Sequence, residues 1–592
     1  MIKQLSLLIC GWLLANACPA GPNHYSGVPW PATDGLGRAL PMQVQAGAPR
    51  ENRFVAVFYF LCLGQYGEPG PFDNTQILAA DPAALTKPAS PLWGPAGTSH
   101  HWGEPLFGYY VSDDDVVLAK HAQMLDDAGV DVVIFDTSNQ LTYPRAWQAL
   151  CRVWEGIRQR GGHTPQIAFL TPFWQPKKVV AELYHELYAP GLYSDLWFRW
   201  EGKPLILADH ALTDPGDDAV RNFFTFRKPQ PDYFVGPQQP NEWSWLEVYP
   251  QHAFTNTAGA VEEVAVGVAQ NAVDGKLSVM SNPRSHGRSF HDDSEPSLAL
   301  QDFTGRNFSE QWNRAIALDP KLVFVTGWNE WTAGRYAHPS GFYGDGPVTF
   351  VDEFNREFSR DCEPMLGGHG DAFYWQLIAN IRRFKGVPAI PSVQSQPIII
   401  DGKFADWTAV QPEFHDDIGD PVQRDHAGWG KDNYYINRTG RNDIVAAKIS
   451  ADAQSIYFYV RTQSPLTPPT DPNWMLLYID ADQNAQTGWL GYDFAVRKYN
   501  PQTHQATLER HTGTGYQWGT PVDVDFRMAG NEVELSVPRA ALGIAPEQSA
   551  FDFKWADNIQ QTGDWSDFTI NGDAAPNDRY NYRAKLAKPT RN

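Results

Sequence analysis

The sequence predicts an α/β chain: a (β/α)8 TIM barrel followed by a C-terminal antiparallel β-sandwich. Three observations carry that expectation. From residue 53 apolar runs alternate with amphipathic stretches, the pattern of a parallel sheet with crossover helices. Polar residues stand directly after several of the apolar runs, where a barrel gathers its functional groups. Past residue 397 the helical spacing disappears, and short alternating runs divided by Gly, Asn, Asp and Pro take its place.

The chain opens on MIKQLSLLICGWLLANAC, with Lys3, an apolar run from Leu5 to Leu14 and the small-x-small triplet Ala15-Asn16-Ala17. Residues 1–17 therefore read as an export signal whose apolar run is too short for a membrane span. Cys18 follows directly, so lipid attachment there competes with simple cleavage and is the one membrane anchor expected. The mature chain is expected in the periplasm or outside the cell, as a monomer. Cys62, Cys151 and Cys362 are an odd set without zinc-ligand spacing, and read as buried thiols outside any disulfide framework.

The barrel is expected over residues 50–385. Its strands are read at 54–60, 130–135, 166–170, 205–208, 223–226, 245–249, 277–281 and 322–326. Helices are read at 116–128, 144–160, 177–187, 261–272 and 308–318, with apolar residues at helical spacing such as Trp147, Leu150, Cys151 and Trp154. A further helix over 372–383 is expected to pack outside the barrel. Residues 386–396, rich in proline and without periodicity, read as a linker. The sandwich is expected over 397–590, with strands at 455–462, 474–479, 492–497, 522–526, 532–537 and 551–555.

Composition narrows the partners. A net charge of −21 and a pI near 5.1 argue against nucleic acid and anionic membranes, which repel an acidic protein. A neutral substrate fits better. The 22 Trp and 24 Tyr exceed the usual needs of a core and offer flat faces on which sugar rings stack.

Five expected strands end in polar groups: Asp136-Thr137-Ser138-Asn139, Asp209-His210, the stretch from Trp245 to Gln251, Asn282, and Gly327-Trp328-Asn329-Glu330-Trp331. The last is the strongest signal, a carboxylate between two tryptophans just past an apolar strand. Glycoside cleavage needs such a group, and desolvation by indoles would raise its proton affinity into the useful range. Tyr59, Tyr110, Trp174, Trp328, Asn329 and Trp331 are the expected substrate-binding residues. No catalytic cofactor is expected.

Three segments give the barrel a family resemblance. VFYFLCLGQYG (57–67), GYYVSDDDVVLAKHAQMLDDAGVDVVIFD (108–136) and GWNEW (327–331) resemble glycoside hydrolase family 99 and its relatives, the endo-α-mannosidase-like barrels that include family 71-like and WbsX-like proteins. The resemblance implies that Glu330 deprotonates the sugar 2-hydroxyl during attack on the anomeric carbon. In that family a second glutamate follows three residues later, where this chain has Ala333. The acid must then come from another strand, the mechanism must differ, or catalysis is lost. Glu247 is the preferred replacement, followed by Asp136 and the loop residues Asp292, Asp293 and Glu295.

In the second domain IIIDGKFADW (398–407), SIYFYVRT (455–462) and LLYIDADQNAQTGWLGYDFAVRK (476–498) resemble carbohydrate-binding module family 9. Asp480, Asp482 and Asn484 alternate in an oxygen-rich loop able to surround a structural Ca²⁺, the alternative being a polar β-turn. Trp474, Trp489, Trp518, Trp555 and Trp565 are the sugar-stacking candidates. Together these readings predict an exported glycoside hydrolase acting on a polysaccharide or glycoconjugate. A non-catalytic glycan-binding protein with a degenerate barrel and a polysaccharide lyase are the alternatives.

Overall fold

The computed structural model describes residues 26–64, 69–291, 303–338, 345–394, 396–545, 547–560 and 563–586. The expected export signal, Cys18, and Asp292, Asp293 and Glu295 lie outside the described residues. Among the described residues eight parallel strands form the barrel: β1 (Phe54–Tyr59), β2 (Val132–Asp136), β3 (Gln166–Leu170), β4 (Lys203–Leu207), β5 (Thr225–Gln230), β6 (Glu242–Ser244), β7 (Val261–Gly267) and β8 (Leu322–Thr326). Parallel ladders run from β6 through β5, β4, β3, β2 and β1 to β8 and β7.

Side chains close the seam between β6 and β7, where the described residues have no ladder. Ser244 N donates to Glu263 Oε2 at 3.0 Å and Trp243 Nε1 to Glu262 Oε2 at 2.8 Å. Arg227 Nε, on β5, also reaches Glu262 Oε2, at 2.6 Å. Burial, with Glu247 and Glu262 nearby, pushes the Glu263 carboxyl well above the usual carboxylate range.

Strand periodicity sorts the apolar residues into two layers. Ala56, Phe58, Val132, Ile134, Ala168, Leu170, Leu205, Leu207, Leu322 and Phe324 share one cluster that fills the barrel. Their neighbours Val57, Tyr59, Val133, Phe135, Ile167, Phe169, Val323 and Val325 pack with the helices in another. Helix α1 (Asp115–Ala128) shows why the crossovers form where they do. The Asp114 carboxylate caps the first turn by accepting from Val116 N, and Gly129 takes the left-handed conformation at the other end, φ 90°. The helices α2 (Pro144–Gln159), α3 (Lys177–Leu183), α4 (Asp218–Phe223), α5 (Arg306–Leu318) and α6 (Ala372–Lys385) follow, and α6 packs outside the barrel through Phe373, Leu377 and Ile381.

The structure corrects three strand expectations. The seventh strand is Val261–Gly267, a stretch expected to be helical, and the expected strand at 277–281 instead begins in a small hairpin, Ala272–Val273 against Lys276–Leu277. Apolar residues at 261, 264, 265, 268, 269 and 272 mimic a helical stripe, and Glu262 and Glu263 look like its solvated face. Both glutamates are instead buried seam groups. The sixth strand is Glu242–Ser244 rather than 245–249, and the fifth runs over Thr225–Gln230 after α4 has used Phe223.

The C-terminal domain is an antiparallel sheet folded on itself. Its central order is Tyr582–Leu586, Ala550–Asp557, Leu476–Asp480, Phe494–Asn500, Gln505–Arg510, Val522–Ala529, Glu532–Pro538, Ser455–Thr462 and Ile444–Ala451. Phe458 meets Phe551 and Phe553 at ring distances of 5.8 and 6.0 Å although their strands are not neighbours, which is the packing of a sandwich core. The short strand Ser392–Val393 joins this sheet by pairing with Tyr582–Leu586. Arg424, on a sandwich hairpin, binds Asp114 of the barrel at 2.8 Å, and Arg579 binds Asp371 at 2.5 Å.

Candidate active site

Glu330 stands just past β8 at the C-terminal mouth of the barrel. Its backbone N donates to Asp361 Oδ1 at 2.7 Å, and its Oε2 accepts from Arg360 Nη2 at 3.0 Å. The same nitrogen lies 3.4 Å from Asp352 Oδ1, while Arg360 Nε donates to Glu353 Oε1 at 3.0 Å. Arg360 and Glu353 are buried, whereas the Asp352 side chain is 49% exposed and marks the open rim. Trp245 lies over the Arg360 guanidinium, 5.5 Å from the ring centre, and packs beside Phe58 and Phe173.

Electrostatics set the chemistry of this group. Burial pushes the Glu330 carboxyl well above the usual range, Arg360 opposes it, and Asp352, Asp361 and Asp136 add to it. Asp136, at the end of β2, is also raised, first by burial and then by Asp352, while the Ser138 backbone N–H and Arg360 oppose the rise. Asp361 is held at about 6 by burial against the donation from Glu330 N. Several carboxyl groups of raised proton affinity thus surround one fixed cation. Groups of this kind hold a proton more tightly than exposed carboxylates do, as a group that moves a proton must.

The expected partner Glu247 engages His252. Its carboxylate is fully buried, accepting from His252 N at 2.5 Å and lying 3.1 Å from His252 Nδ1, and burial pushes it up to about 7. Ala333 is buried in the strand Thr332–Ala337, which pairs with Ser99–His101, so this position supplies no acid.

Five of the six expected sugar contacts are buried, Tyr59 because of its strand parity and the others through their own ring and hydrogen-bond contacts. Tyr59 points to the helix layer, where its hydroxyl meets His121 Nδ1 at 2.8 Å. Tyr110 OH donates to Glu363 Oε2 at 2.7 Å, Trp331 Nε1 donates to the same oxygen at 2.5 Å, and His121 Nε2 lies 3.0 Å from Glu363 Oε1. Trp328 is buried against His121 and Tyr374, and Trp331 stacks on Trp102 at 4.4 Å. Asn329 ties the loop to β1 by accepting from Phe60 N at 2.8 Å and donating to Phe60 O. Trp174 differs: it follows β3 at the mouth and is 73% exposed.

Sequence reasoning missed Arg360, Asp352, Glu353 and Asp361. They lie in residues 351–363, for which the sequence predicts no element. Charged residues there are interleaved with Phe354, Phe358 and Cys362, all buried, and that interleaving was the available signal.

In the sandwich Asp480, Asp482 and Asp493 each place a carboxylate oxygen within 4.8 Å of the others. Burial, with Asp552 and Asp493, pushes Asp480 up to about 8. The side chain of Asn484 instead accepts from Gln486 N at 3.1 Å, as in a polar turn. Trp474, Trp489 and Trp555 are buried, while Trp518 and Trp565 are half-buried.

No protein-family model matches the chain, and no curated protein matches it. Among solved structures it is similar to a GH99 endo-alpha-mannosidase from Bacteroides thetaiotaomicron, at 14% identity over 56% of this chain and 97% of that one, TM-score 0.33. The same enzyme in complex with BIS-TRIS-propane matches at 12% identity over 56% and 97%, TM-score 0.30. A carbohydrate binding module family 9 from Caldicellulosiruptor kristjanssonii in complex with glucose matches at 12% identity over 30% and 96%, TM-score 0.15.

Proposed function

We propose that this chain is an exported glycoside hydrolase acting on a polysaccharide or glycoconjugate, with the C-terminal sandwich as its carbohydrate-binding domain. The observation that carries the reading is the carboxyl group of Glu330 at the barrel mouth, raised in proton affinity and held by Arg360 beside Asp136 and Asp352. Glycoside cleavage needs one carboxyl group to move a proton and a second across the bond. Glu330 takes the first role and Asp136 the second, with Asp352 at the rim and Trp174 stacking on a sugar ring.

Export rests on the charged start, apolar run and small-x-small triplet of residues 1–17, with Cys18 as the alternative anchor. A Ca²⁺ in the sandwich rests on the convergence of Asp480, Asp482 and Asp493. The absence of a carboxylate at Ala333 favours a second reading, a glycan-binding protein without turnover. Incubating the protein with a glycan library and assaying released reducing sugar separates the two. Release that disappears in Glu330→Gln supports hydrolysis; retention of glycans without release supports binding.

A further inference from the structure

A second acidic centre lies far along the chain from the barrel mouth, on the sandwich face that meets α1. Asp416, Asp420 and Asp573 each place a carboxylate oxygen within 4.8 Å of those of the other two. Asp573 is 3% exposed; its Oδ2 accepts from Ile444 N at 2.6 Å, and its Oδ1 has no hydrogen-bond partner among the described residues. Asp420 repeats the pattern. Its Oδ2 accepts from Gln123 Nε2 at 2.8 Å and lies 3.7 Å from Lys120 Nζ, while its Oδ1 has no partner; Asp416 Oδ2 has none either.

The nearby cations do not supply what these oxygens lack. Lys120 Nζ donates to Gln123 Oε1 at 2.9 Å and faces the oxygen of Asp420 that is already satisfied. Lys554 is fully buried and donates to Pro576 O, and burial draws its ammonium down to about 7. Against them stand Asp127, Asp417 and Asp578 in addition to the three converging acids. Buried carboxylate oxygens without donors are costly unless an ion or water completes them. An adjoining crevice of about 440 Å³, lined by Asp127, Asp416 and Asp417 and also by His163, His415 and Arg461, reaches the group at Asp416.

We propose that Asp416, Asp420 and Asp573 bind a hard divalent cation, Ca²⁺, at the junction of sandwich and barrel. Carboxylate oxygens converging from one loop, through Asp416 and Asp420, and from the strand that begins at Asp573 are the ligands such an ion takes, with water and backbone carbonyls filling the remaining positions. Gln123 and Lys120 of α1 hold the outer oxygen of Asp420, so the ion fixes a sandwich loop in the shape that receives the barrel helix. Binding to the folded chain alone then stabilises the docked arrangement.

The test uses the full chain carrying Asp482→Asn together with Asp480→Ala and Asp493→Asn, which strips the other candidate cation loop of its three carboxylates. After chelator treatment, Ca²⁺ uptake is measured by equilibrium dialysis and Tm by calorimetry, with Mg²⁺ in parallel. The expected result is Ca²⁺ uptake with a rise in Tm of a few degrees at millimolar Ca²⁺, and a smaller rise with Mg²⁺. Adding Asp573→Asn, which keeps an acceptor for Ile444 N, abolishes both; adding Asp420→Asn does the same and covers a folding failure of the first. Uptake or a Tm rise that survives both substitutions, or the absence of any uptake in the chain that carries only the three loop substitutions, overturns the proposal.

Discussion

Arg360 Nη2 donates to Glu330 Oε2 at 3.0 Å, which joins the barrel's last strand to a segment that follows it. The pair fixes the one carboxylate of the eighth-strand motif that faces the mouth.

Replacing Glu330 with Gln keeps an acceptor for Arg360 and removes the proton carrier. Turnover on a responsive glycan is expected to fall at least ~100-fold with binding and Tm nearly unchanged. Near-native turnover in steady-state assays would remove Glu330 from the chemistry.

Arg360→Met leaves Glu353 and Glu330 without their cation in a buried setting. Breaking one side of a buried ion cluster costs about 3–5 kcal/mol. Urea unfolding is expected to show a loss of that order, and a loss within error would mean the cluster is hydrated.

The Glu247 carboxyl is raised from its ordinary value to about 7, so the folded chain holds its proton more tightly than the unfolded chain. Its contribution to stability is therefore full at low pH and declines as pH rises from the unfolded value to about 7. Glu247→Gln cannot titrate and still accepts from His252 N. Relative to wild type it is expected to gain about 2–3 kcal/mol between about pH 5 and about pH 8, with turnover retained. Lost turnover without that gain would return Glu247 to the catalytic group.

Trp174 is exposed at the mouth and supports no core. Trp174→Ala is expected to weaken sugar binding up to about 10-fold, seen in KM more than kcat, with Tm unchanged. Unaltered KM on every responsive glycan would assign the stacking surface elsewhere.

In the sandwich loop, Asp482→Asn and Asp493→Asn are expected to lower Ca²⁺ affinity at the Asp480 site, whereas Asn484→Ala leaves it nearly unchanged. The reason is geometric: Asp493 converges with the other two acids while Asn484 closes a turn. Because Asp480 is pushed up to about 8, that affinity is also expected to fall as pH drops through this value, as protons compete with the ion. Calorimetric titration across pH checks both points.

Much of this was legible in the sequence. Runs such as FVAVFY and LVFVT, the helical spacing between them and the change of texture past residue 397 follow from local periodicity, and they mark the barrel, the sandwich and Glu330 at a strand end. The facing of each residue was not legible, because parallel barrel strands are apolar on both sides and their sequence does not mark which parity points inward. Only the tertiary structure turned Tyr59 and Trp328 into the helix layer, made β7 out of a stretch with helical spacing by pairing its glutamates with Arg227, Trp243 and Ser244, and carried Arg360 and Asp352 back to the mouth. Those outcomes depend on which distant groups satisfy a buried charge, and local sequence patterns carry no record of that pairing.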